Sequence, residues 1–120
     1  MNITKLSYAD PRPYWVSQDV TAFKCSSQFG NPSGHSETSI GMALTVWLDF
    51  DASKQFKGIT LVLTLLFAVT IGYSRFFLGV HSMDQIVYGL LIGTWIAITM
   101  HYIIRPKLDV HVKSVILGKI

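Results

Sequence analysis

The sequence predicts an all-α fold: a membrane helical bundle with three transmembrane helices. Three observations lead there. Half of the 120 residues are hydrophobic and only 14% are charged, a low charged share for a water-soluble domain. The apolar residues gather in three runs, at about 36–50, 59–73 and 86–104. The second and third runs have no polar face to turn to water, which disfavours the alternative of a soluble three-helix bundle.

Residues 1–35 are polar and punctuated by Pro11, Pro13, Gly30, Pro32 and Gly34. This predicts a loop region with a short helical turn near its start. Ser36 suits the cap of the first helix, and Glu37 suits the positive end of its dipole. That helix is the most polar of the three and is expected to stand against the other helices rather than lipid. Crossing the hydrocarbon core takes about 20 helical residues. The third run meets this alone, and the second does with its flanks. Gly89 and Gly93 permit close approach of a neighbouring helix. The end of the chain, Val110 to Ile120, alternates loosely and suggests a short strand or an interfacial piece. The expected division is a loop region at 1–35, a transmembrane bundle at 36–104 and a tail at 105–120.

Three spans put the segment before Ser36 and the segment 74–85 on one side. The link Asp51 to Lys57 and the tail fall on the other. The second side carries Lys54, Lys57, Arg105, Lys107, Lys113 and Lys119, which makes it cytoplasmic. The protein is therefore expected to be an integral, multi-pass membrane protein whose opposite rim faces the lumen or exterior. A net charge of +3 without a basic stripe excludes nucleic-acid binding. The single cysteine, Cys25, excludes an internal disulfide and a multi-cysteine metal site. The first residues lack the apolar core of a signal peptide.

Three clusters converge on the predicted outer rim: Lys5 with Arg12-Pro13, then Pro32-Ser33-Gly34-His35, then Ser74-Arg75 followed by His81. Their chemistry fits a phosphate. Arginine presents a planar fork of donors matched to phosphate oxygens, and lysine adds a point charge. Lys5, Arg12 and Arg75 are the candidates for that work. A turn with Ser33 and Gly34 directly before a helix offers backbone N–H groups to an anion. His81 is the candidate nucleophile and His35 the candidate acid and base. A nucleophilic imidazole needs an acceptor behind its other nitrogen. Asp84 and Gln85, three and four residues after His81, share its side of the helix. His101 and His111 lie away from the clusters and carry no expected role. Tyr14, Trp15, Phe76 and Phe77 suit interfacial anchoring or packing.

These residues resemble the type 2 phosphatidic acid phosphatase family, which shares its site with the vanadium haloperoxidases. The family pattern has three parts, and all appear in order. Six residues separate Lys5 from Arg12-Pro13, Pro32 to His35 follow, and five residues separate Ser74-Arg75 from His81. The resemblance covers about residues 5–89. It implies that Lys5, Arg12, Ser33, Gly34 and Arg75 bind phosphate, that His35 is the acid/base and that His81 is the nucleophile. It implies no metal cofactor. The expected function is an integral-membrane phosphatase that hydrolyses a phosphomonoester or diphosphate of a lipid through a phosphohistidine. A soluble haloperoxidase does not fit the apolar runs.

Two departures stand out. The family usually places an aspartate four residues after the nucleophile; here that position is Gln85, with Asp84 one residue early. Glucose-6-phosphatase-like members carry glutamine there, and Arg12-Pro13-Tyr14-Trp15 also resembles that branch, so a soluble sugar phosphate is the alternative substrate. Gln85 is the expected partner of His81 by position, with Asp84 its rival. The second departure is length. Membrane members typically have six helices, and this chain matches the last three. The expectation is a weakly stable chain unless it pairs with another copy or another membrane protein. A non-catalytic phospholipid-binding or pairing role is the alternative outside the enzyme class.

Overall fold

The computed structural model describes residues 2–49 and 54–118. The described residues form helices and loops, with no strand among them. In chain order they are α1 (Asn2–Tyr8), α2 (Pro13–Val16), α3 (Gly34–Asp49), α4 (Lys54–Phe77), α5 (Met83–Thr99) and α6 (Arg105–Ile116). A π-helical turn, Met100–Ile104, joins α5 to α6. The all-α class follows, and each apolar run lies on a helix. Phe50, the expected end of the first run, and the part of the expected link at 51–53 lie outside the described residues, as does Lys119.

α3 is the central helix and packs against both α4 and α5. Ile40 and Leu44 from α3 meet Ala68 of α4 and Ala97 of α5, with Trp47, Leu61 and Leu90 around them. Small residues set the spacing between α3 and α5. A Cβ on Gly93 would collide with the carbonyl of Glu37 and would lie 2.6 Å from Ile40 Cγ2. A Cβ on Gly89 would lie 2.6 Å from the Ser33 carbonyl. Side chains at these two positions would force the helices apart, so the Gly89–Gly93 spacing has the close-packing role expected of it.

Two helical segments, Phe56–Phe77 and Met83–Ile116, are long and apolar enough to cross a membrane. Most large apolar side chains on α4 point outward, among them Val62, Leu63, Leu66 and Val69. α3 has 16 residues and spans about 24 Å at 1.5 Å per residue, which leaves it short of a full crossing by length.

The tail differs from expectation. Val110 to Ile116 belongs to α6, a helix, and not to a strand. The loose alternation was too short to decide the period. The π turn carries the backbone ladder out of α5, and its widened geometry directly precedes Pro106. A proline ring clashes with the carbonyl four residues back, here that of Tyr102, and a wider turn relieves such a clash. At this end of the bundle Asp49 holds both His101, at 2.9 Å, and Arg105. His101 thus ties the end of α3 to the π turn.

Gly93→Ala is expected to lower the unfolding free energy in detergent by about 1–3 kcal/mol, the usual cost of overpacking. Gly58→Ala is the control, because a Cβ there meets nothing within 4 Å. Chemical denaturation of both variants checks this; equal stability of the two would contradict the close α3–α5 crossing.

Candidate active site

The three clusters meet at one end of the bundle. α1 delivers Lys5, and the hydroxyl of Tyr8 fastens α1 to Tyr88 of α5 at 2.6 Å. Arg12 caps α2, with Pro13 at the first helical position where its missing N–H costs nothing. Tyr14 pins the following loop by accepting from Ser26 N at 2.7 Å and donating to Ser26 O at 3.0 Å. α3 opens at Gly34 and His35, and Arg75 sits in the last turn of α4. The turn into α5 uses Gly79 at φ +67°, a left-handed conformation suited to glycine. It ends at Ser82, the N-cap of α5.

His81 is 4% exposed, and its two ring nitrogens face different partners. Nδ1 lies 3.2 Å from Gln85 Oε1. Nε2 lies 3.4 Å from Arg12 Nη1. The partners fix the proton. Gln85 Nε2 donates to Asp10 Oδ2 and to the Pro11 carbonyl, each at 2.9 Å. Neither partner can donate, so the amide nitrogen must face them and the amide oxygen must face His81. Nδ1 therefore carries the hydrogen. Nε2 keeps its lone pair, which is what an approaching guanidinium requires. Burial, then the charge of Arg12, lowers the His81 pKa to about 4, against a raising contribution from Gln85. The ring is neutral at pH 7.

The cations form the rest of the site. Lys5 and Arg12 are 6% and 4% exposed. Arg12 donates to the Gln28 and Val80 carbonyls at 2.7 and 2.8 Å and to Ser26 Oγ at 3.1 Å. Lys5 donates to the Phe29 carbonyl at 3.2 Å. Arg75 Nε is buried without a hydrogen-bond partner among the described residues. Burial, then the neighbouring Arg12 charge, holds the Lys5 ammonium below its ordinary value. Burial also lowers Arg12. All three cations, together with Gly34, His35 and His81, line one cavity of about 580 Å³. No aspartate or glutamate lines it. Glu37 acts on Lys5 electrostatically from outside that lining. Cations held out of water are costly unless paired, and an anion in this cavity would offset that cost.

His35 is exposed at the cavity wall, one residue ahead of the apolar run. Partial desolvation, then the charges of Arg75 and Lys24, pushes its pKa below 6.5. Ser33 is placed differently from the other candidates. It is fully buried, its hydroxyl accepts from Ser36 Oγ at 3.0 Å, and it does not line the cavity. Its backbone N–H donates to the Gln85 carbonyl at 3.0 Å, which joins the second cluster to α5. Asp84 is exposed and shares no hydrogen bond with His81 among the described residues. Gln85, 2% exposed, occupies the place behind the ring.

Sequence reasoning did not single out Asp10, Gly30 or Lys24. Lys24 lines the cavity rim. A Cβ on Gly30 would run into the Gln85 carboxamide, and the Gly30 N–H donates to the Asp10 carbonyl at 2.8 Å. The signal available for Asp10 was its place as the one acidic residue between Lys5 and Arg12. Among the described residues no group of three or more His, Cys, Asp or Glu is placed to hold a metal ion.

Comparison with known proteins adds one match. The sequence model of the PAP2 superfamily aligns with residues 1–109. No curated protein and no solved structure matches the chain. The matched stretch contains all three clusters and the cavity they line, and on that match the chain belongs to the PAP2 superfamily, a family of phosphatases.

Proposed function

We propose that the chain is an integral-membrane phosphatase that hydrolyses a phosphomonoester or diphosphate of a lipid through a phosphohistidine, without a metal ion. The observation that carries this proposal is a neutral imidazole whose unprotonated Nε2 faces Arg12, in a cavity lined by cations and by no aspartate or glutamate. Lys5, Arg12 and Arg75 would hold the phosphate oxygens and stabilise the charge of the transition state. His81 Nε2 attacks phosphorus as the P–O ester bond breaks. The electron pair leaves on the ester oxygen, which takes a proton from His35. His35 then accepts a proton from water as that water attacks phosphorus. The P–N bond breaks, and its electrons return to Nε2.

The lipid assignment is supported by the cavity wall. Phe67 and Ile71 of α4 line the cavity below Arg75. At 1.5 Å per residue they lie about 12 and 6 Å deeper along the helix, where an acyl or isoprenoid chain would run. Gln85 behind the ring favours the glucose-6-phosphatase-like branch instead, with a sugar phosphate as substrate. In the proposed topology 36–104 forms the membrane bundle, the site opens to the lumen or exterior, and the segment from Arg105 is cytoplasmic. The apolar outer surface of α4 supports contact with lipid or with a second membrane chain.

Phosphate release from a panel of lipid and sugar phosphates tests the proposal. His81→Ala is expected to lose at least about a hundredfold in turnover, as loss of a covalent catalyst should. Chelator should have no effect, and vanadate should inhibit. Chelator-sensitive hydrolysis that survives in His81→Ala would overturn the mechanism.

The pH profile has a defined shape. His81 attacks only when neutral, so kcat/KM of the free enzyme should fall as pH drops through about 4. His35 protonates the leaving group only when charged, so kcat/KM should fall again as pH rises through a value below 6.5. The optimum is expected between these limbs, on the acid side of neutrality. A profile still rising above pH 7 would contradict the assigned roles.

A further inference from the structure

Asp10 carries a carboxylate that the hydrolytic steps above do not use. It lies between α1 and α2, outside the cavity lining, and its Oδ2 is 2.9 Å from Gln85 Nε2. We propose that Asp10 is a positioning residue for the reaction: its carboxylate holds the Gln85 carboxamide in one orientation and, through it, opposes the charge that develops on His81. This inference rests on the proposed phosphatase chemistry.

Asp10 acts first on orientation. A carboxamide has a donating end and an accepting end, and only one arrangement suits His81. If Gln85 were flipped, its nitrogen would face Nδ1. Nδ1 would then have to accept, and the ring proton would move to Nε2, the atom that must carry the lone pair. A flip would also set Gln85 Oε1 against Asp10 Oδ2 and the Pro11 carbonyl, two acceptors facing a third. The Pro11 carbonyl opposes the flip as a neutral group. A carboxylate opposes it roughly twice as strongly, because its hydrogen bond is charge-assisted.

Asp10 acts second on charge. Attack by Nε2 on phosphorus converts the imidazole into a cationic, N-phosphorylated ring. Gln85 alone answers that charge with a dipole. The chain Nδ1–H to Oε1, then Nε2–H to Oδ2, brings a full negative charge within two links, and linked hydrogen bonds polarise one another. The resemblance placed an aspartate where Gln85 stands. Here a carboxylate reaches the same ring from a different segment. The support behind it is built in. The Asp10 carbonyl accepts from Gly30 N at 2.8 Å, and the missing Cβ of Gly30 makes the room that the Gln85 carboxamide fills.

The test uses the full chain in detergent or nanodiscs, with two readouts. Nitrogen-15 chemical shifts of labelled histidine report the His81 tautomer, and phosphate release reports kcat and KM. Wild type should show the proton on Nδ1. Asp10→Asn keeps the size and an acceptor oxygen but removes the charge. It should keep the tautomer and lose about tenfold in kcat, with KM little changed. Asp10→Ala should mix the tautomers and lose more. Gln85→Glu alone sets two carboxylates against each other, whereas Asp10→Asn/Gln85→Glu places one carboxylate on the ring. The double variant should be more active than the two single losses predict.

Wild-type kcat in both Asp10 variants would overturn the proposal. So would an unchanged tautomer in folded Asp10→Ala, or a double variant no better than the two single losses combined. If the chain released phosphate from no ester and yet Asp10→Ala mixed the tautomers, the positioning role would stand and the phosphatase assignment would fall.

Discussion

The carboxamide of Gln85 is buried at the junction of three segments that are far apart in the chain. Its nitrogen donates to Asp10 and Pro11, and its oxygen meets the His81 ring and the Ser82 N–H. Its own backbone carbonyl accepts from Ser33. Gly30 leaves the space in which it sits. Asp10 and Pro11 can only accept and the Ser82 N–H can only donate, so the side chain has a single satisfied orientation. The tautomer of His81 follows from it, and so does the unprotonated state of the Nε2 that faces Arg12. In the proposed mechanism that nitrogen is the atom to which the cations present a phosphate.

This junction depends in turn on the helix packing. Gly89 and Gly93 let α5 press its backbone against the start of α3, which brings Ser33 within hydrogen-bond reach of Gln85. Without that approach His35 and His81 would sit on separated helix ends. The small residues that look like generic membrane packing thus set the geometry of the candidate site. At the other end of the bundle, Asp49 with His101 and Arg105 joins α3 to the π turn. That cluster is structural in its contacts and shares no residue with the cavity.

Much of this was legible in the sequence, and the reasons are physical. The apolar runs were long enough for length and hydropathy to identify their helices. Lys5, Arg12, Arg75, His35 and His81 were legible because cations and imidazoles in that order and spacing are rare outside phosphate chemistry. Spacing selects Gln85 over Asp84, and burial separates the two: Gln85 is enclosed and Asp84 is exposed. Ser33 shows the limit. A serine before a helix reads as a donor to a ligand, but here the hydroxyl accepts from Ser36 and lies buried outside the cavity lining. Asp10 and Gly30 were not legible, since their roles exist only through contacts 55 and 75 positions away in the chain, with a residue that is itself unremarkable in sequence. The helical tail was missed because a few alternating residues do not fix a period, while an unbroken ladder from the preceding helix does.

The central claim is that His81 Nε2 becomes covalently bound to phosphorus during turnover. Rapid alkaline quenching of the full chain with an isotopically labelled ester, followed by peptide mass spectrometry, addresses this directly. An alkali-stable, acid-labile phosphoryl group on His81, absent from His81→Ala and accumulating when His35 is replaced, is the expected result. Sustained phosphate release with no label on His81, or with the label on another residue, would contradict it.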